Sequence, residues 1–71
     1  MHNLTARQSD VLAAISEAIT ENGYPPTVRE IGKALSISSV AAVHHLEALE
    51  HKGAIVREPA TARGIRIVDH T

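Results

Sequence analysis

The side chains best equipped for chemistry fall between Ser36 and His51, in a run that reads SISSVAAVHHLEALEH. Three chemistries are available there. A helix would set His44, Glu47 and His51 on one face at i, i+3 and i+7, and two imidazoles with a carboxylate can ligate zinc. No fourth ligand accompanies them, so neither a metal nor any other cofactor is expected. Ser38 and Ser39 carry hydroxyls, but with no base paired to them they read as turn and cap residues rather than nucleophiles. The third chemistry is recognition. Ser39, Val40, Ala41 and His44 form a small, nearly uncharged face at the helix start, where a solvated helix would carry Glu, Lys or Gln. Such a face can settle into a DNA major groove, with Val and Ala against thymine methyls and His bonded to a base edge.

Something must hold that helix in place, and the punctuation of the chain says what. Thr5-Ala6-Arg7-Gln8 has the form of a capping box, and Val11, Leu12, Ile15, Ala18 and Ile19 then draw one apolar stripe. Asn22 or Gly23 stops this first helix, which spans about 6–22. Tyr24-Pro25-Pro26 cannot be helical. Thr27-Val28-Arg29-Glu30 is a second capping box, followed by Val28, Ile31 and Leu35 on one face of a short helix over about 28–35. The Ser-rich break at 36–39 leads into a third helix over about 39–52, with Ala42, Leu46 and Leu49 inward and Val43 at the border. Lys52 suits its C-terminus and Gly53 ends it. Two short apolar segments, 54–57 and 64–68, flank a loop at Glu58-Pro59-Ala60-Thr61-Ala62; Ile65 and Ile67 alternate with Arg66 as in a half-buried strand. Three helices and a hairpin make a mainly α chain with the layout of a winged helix-turn-helix, a single domain over residues 1–71 with its wing at about 54–68.

Composition narrows the function. The chain has 71 residues, 44% of them hydrophobic and 21% charged, as in an ordinary globular domain. Its core must be aliphatic, because there is one Tyr and no Phe or Trp. The absence of Cys removes thiol catalysis, disulfides and Cys-ligated zinc. A catalytic cleft is hard to build at this size, so no enzyme is expected. No apolar run approaches a membrane span, and no signal peptide opens the chain; a cytoplasmic location is compatible with both. A net charge of −1 argues against a non-specific polyanion binder, but the distribution is uneven. Residues 1–32 set two bases against four acids, and residues 33–71 set five bases against four acids. DNA contact is therefore expected from the second half, through local geometry rather than bulk charge.

Four motifs in register resemble the N-terminal DNA-binding domain of the LexA repressor family, regulators of the bacterial SOS response to DNA damage. Leu4-Thr5-Ala6-Arg7-Gln8 looks like the family's opening stretch. Gly23-Tyr24-Pro25-Pro26-Thr27 with Arg29-Glu30-Ile31 looks like its approach to the second helix. His45-Leu46-Glu47-Ala48-Leu49 with Lys52-Gly53 resembles its third helix, and Arg63-Gly64-Ile65-Arg66 its second wing strand. Together they cover about 4–68. The resemblance implies a transcriptional repressor that reads palindromic operators in double-stranded DNA, located with the bacterial nucleoid. The turn before the third helix is about one residue shorter than in the family. Counted back from Leu46, the family's base-reading positions fall on Val40, Ala41, Val43 and His44, although Val43 is about as well placed for packing.

Backbone phosphates are then expected to meet Ser39, His51, Lys52, Arg57, Arg63 and Arg66. In the family a self-cleaving serine-lysine domain follows, and nothing here corresponds to it. As this fragment the chain is expected to be monomeric, and dimeric if a C-terminal domain follows. The competing class is a winged-helix module that binds another protein, whose mark would be a large exposed apolar patch.

Overall fold

Thr5 opens the first helix by reciprocal capping. Its hydroxyl accepts the Gln8 amide at 3.2 Å while the Gln8 side chain accepts the Thr5 amide at 3.1 Å. Helix α1 then runs Ala6–Asn22, and Gly23 ends it at φ 83°, its amide donating to the Ile19 carbonyl at 2.8 Å. Only a residue without a Cβ adopts that backbone freely. Thr27 and Glu30 repeat the reciprocal cap at the start of α2, Val28–Leu35. Helix α3, Ser39–His51, begins at Ser38, whose hydroxyl accepts the Ala41 amide at 3.0 Å. It stops one residue short of the 52 that the sequence suggests, because Lys52 is the half-helical cap. Strands β1, Ile55–Arg57, and β2, Ile65–Ile67, pair antiparallel with Val56 opposite Arg66. The computed structural model describes residues 3–58, 60, 61 and 63–68; Pro59 and Ala62 of the expected wing loop lie outside the described residues.

The turn between α2 and α3 sets the angle of the third helix. Ser36 closes α2 in the left-handed conformation at φ 56°, the one non-glycine with positive φ among the described residues. The Ile37 amide returns to the Gly32 carbonyl at 2.9 Å. A Cβ on Gly32 would stand 2.8 Å from the Ile37 carbonyl oxygen, so the turn closes this tightly only over glycine. Val11 and Ile15 of α1, Ile31 of α2 and Ala42, Leu46 and Leu49 of α3 form the buried core with Ala54, Ile55 and Ile65. Each buried Leu, Ile or Val contributes about 1.5–3 kcal/mol relative to exposure. Among the described residues no polar side chain is buried, and no helix is long and apolar enough to cross a membrane. The architecture is three helices with a two-stranded hairpin, a winged helix-turn-helix.

Candidate nucleic-acid interface

Burying Ala42, Leu46 and Leu49 fixes the roll of α3 and turns the opposite face outward. Ser39, Val40, Val43, His44 and Glu47 line one shallow depression on that face. Val40 is 67% exposed on that face. Ser39 and His44 are exposed beside it and His51 is exposed at the far end of α3, while Val43 is half-buried at the rim. Ala41 sits half-buried on the flank, outside the residues that line the depression. Glu47, weighed from sequence as a metal ligand, shares the surface of Val40 and His44. Among the described residues no group of three or more His, Asp or Glu is arranged to hold a metal ion.

The cations expected at phosphates divide into two sets. Arg66 is exposed on β2 opposite Val56. Lys52, Arg57 and Arg63 instead have partners inside the molecule. The Lys52 ammonium donates to the Asn3 carbonyl at 2.8 Å and to Gln8 Oε1 at 2.6 Å, tying the end of α3 to the start of α1. Arg57 lies 4.0 Å from Glu50. Arg63 reaches across the surface to the start of α2, with paired bonds to Glu30 at 2.7 and 2.8 Å. That pairing, with the Thr27 amide as a second donor, holds the Glu30 carboxyl down from about 4.5 to about 2 and pushes Arg63 up. Sequence reasoning missed two further cations. Arg29 and Lys33, both exposed on α2, border a recess whose far side is Ile37 and Ser39. Their i, i+4 spacing on the polar side of α2 was the available signal.

The outer face of α3 thus carries one acid, Glu47, with a pair of cations beside its N-terminal end, while Arg66 stands on the wing over Ser16, Ile19 and Thr20 of α1. The sequence profile of the LexA DNA binding domain matches residues 1–64 of the chain. LexA repressor 1 of Geobacter sulfurreducens is 53% identical over 72 residues, covering 100% of this chain and 36% of that protein. The LexA repressor of Desulfitobacterium hafniense is 48% identical over 68 residues, 94% of this chain and 33% of its own. That of Bacillus mycoides is 49% identical over 69 residues, with 96% and 34% covered. The chain thus spans about a third of the length of the curated relatives it matches. On these matches the chain belongs to the LexA DNA-binding domain family.

Proposed function

We propose that this domain binds double-stranded DNA in a sequence-specific way, with α3 in the major groove, as the DNA-reading part of a LexA-like transcriptional repressor in the bacterial nucleoid. The observation that carries the reading is Val40, 67% exposed at the start of α3 beside His44. A methyl-bearing side chain held out beside an imidazole on one helix face is suited to meet a thymine methyl in the major groove. Val40, Ala41 and Val43 supply apolar contact, and His44 supplies the hydrogen bond. Ser39, His51 and Arg66 contact backbone phosphates, joined by Arg29 and Lys33 on α2. Lys52 and Arg57 serve phosphates more weakly, since each already has a partner in the fold.

The lone domain binds one half-site as a monomer; paired domains bind a palindrome with half-sites about 10 bp apart, one helical turn. The test is selection from a random duplex pool, followed by fluorescence anisotropy on the enriched sequence at two salt concentrations. Enrichment of one half-site by the lone domain, and of its palindromic repeat by two linked domains, is the expected result. If no sequence is enriched, or if random duplex binds as tightly as the selected one, the reading is wrong.

A further inference from the structure

The wing is the part of this fold with the least backbone support. Its strands have three residues each, and a two-stranded hairpin alone is marginal in water. Its loop is closed by the Glu58 amide donating to the Gly64 carbonyl at 2.6 Å and the Thr61 amide donating to the Glu58 carbonyl at 3.2 Å. A Cβ on Gly64 would stand 2.5 Å from both the Glu58 Cβ and its carbonyl oxygen, which leaves the backbone beside Arg63 little latitude.

From that fixed point Arg63 reaches the segment that joins α1 to α2. Nη1 and Nη2 donate to the two Glu30 oxygens at 2.7 and 2.8 Å, and Nη1 also donates to the Pro25 carbonyl at 2.9 Å. The guanidinium carbon stands 4.6 Å from the centre of the Tyr24 ring. Glu30 is itself tied back to the helix start, because its carboxylate accepts the Thr27 amide at 2.9 Å. Single exposed ion pairs contribute little, but a planar fork bonded twice and stacked on a ring fixes direction as well as distance.

We propose that Arg63 is a positioning residue for DNA binding: by gripping Glu30 it locks the wing to α2, so that Arg66 and α3 meet one duplex in a fixed relation. This rests on the DNA-binding reading above. It differs from the simpler role of a phosphate contact, and Glu30 separates the two by sign. If Arg63 served phosphates, neutralising Glu30 would free it and remove a negative charge near a polyanion, and binding would tighten. If Arg63 positions the wing, neutralising Glu30 weakens binding against that electrostatic trend.

The experiment measures affinity for the selected duplex, per folded molecule, for the wild-type domain, Glu30→Gln, Arg63→Ala, Arg63→Lys and the double variant Glu30→Gln/Arg63→Ala. Folded fractions come from thermal melts of the same samples. Each single variant is expected to bind about 5- to 30-fold more weakly. Arg63→Lys should be nearly as weak as Arg63→Ala, since a lysine keeps the charge and loses the fork. The double variant should be no weaker than the worse single one, because both changes break one link. Arg63 side-chain protons, shifted upfield over the Tyr24 ring in the wild type, should move downfield in Glu30→Gln. Glu30→Gln binding as well as wild type or better, additive losses in the double variant, or full affinity in Arg63→Lys would each overturn the role. A wild-type domain that selects no sequence overturns the DNA reading itself. One that selects a site which Glu30→Gln binds undiminished overturns the role of Arg63 alone.

Discussion

Val40 offers a groove only methyl groups, whereas His44, one turn later on the same face, offers ring nitrogens. Their contributions to specificity should therefore differ in kind. His44→Ala is expected to lose about 1–3 kcal/mol of discrimination at one base pair and leave the rest of the site intact. Val40→Ala should relax the preference for thymine at a neighbouring position. His51, exposed on the same side near the end of α3, faces backbone in this reading, so His51→Ala should weaken all sequences alike. A series of single-base-substituted duplexes measures all three. Uniform loss in His44→Ala with every base preference preserved would mean that α3 is rolled relative to the groove.

Ser36 makes a separate prediction about stability. A left-handed conformation costs an ordinary residue roughly 1–2 kcal/mol, and glycine escapes that cost but has more freedom to lose on folding, about 0.5–1 kcal/mol. With φ at 56°, Ser36→Gly should stabilise the domain by about 0.5–1 kcal/mol in urea unfolding. No change or a loss would show that the serine hydroxyl contributes to the turn.

At the scale of elements, the tight α2–α3 turn sets the direction in which the outer face of α3 is presented. Gly32→Ala would press a methyl group onto the Ile37 carbonyl, a backbone atom that cannot swing aside. Overpacking of this kind costs about 1–3 kcal/mol, and relief requires α3 to pivot. The expected result is a lower melting temperature together with loss of sequence preference. A variant that is destabilised but still selective would show that the pivot is absorbed elsewhere.

The grip of the wing on α2 has its own pH signature. Because Arg63 and the Thr27 amide depress the Glu30 pKa to about 2, the grip stabilises the fold fully above the ordinary carboxylate value. That stabilisation is lost as pH falls from about 4.5 toward about 2. Wild-type melting temperature should decline through that window more steeply than that of Glu30→Gln, which has no proton to bind there. Parallel curves for the two would place the acid sensitivity in other carboxylates.

These elements also show which parts of the molecule could be read without coordinates. Thr5, Thr27, Ser38 and Gly23 announce helix ends because caps act within a few residues of themselves, and the stripe Ala42, Leu46, Leu49 orients α3 by simple periodicity. The mainly helical winged fold was legible for that reason. The partners of Lys52 and Arg63 were not, since they join residues 49 and 33 positions apart, and no local spacing encodes such a meeting. Both residues read as phosphate contacts in the sequence, and in the fold both hold partners within the chain. Arg29 and Lys33 went unread for a different reason: on an isolated helix they are solvated charge, and only the turn at Ile37 brings Ser39 beside them.

At the scale of the whole molecule, a 71-residue chain has stability of about 4–10 kcal/mol to draw on. Phosphate contacts from a surface this small are few, and the net charge of −1 gives little long-range attraction. Affinity for a half-site should consequently be weak, with a log–log salt slope of about −3 to −5. Strength must come from pairing two domains. Joining two copies by a flexible linker of ~40 residues spans the roughly 34–36 Å between half-site centres. The second contact then becomes intramolecular, and affinity for a palindrome should rise about 10²- to 10⁴-fold over one half-site. The salt slope should about double in step, because twice as many phosphates are neutralised. Anisotropy titrations of the single and the tandem domain on one-half-site and two-half-site duplexes test this directly. If the tandem protein gains nothing from the second half-site at any spacing, the domain does not read DNA as one half of a symmetric pair. A single domain that already binds one half-site tightly, with little salt dependence, would mean that its affinity comes from base contacts rather than phosphates.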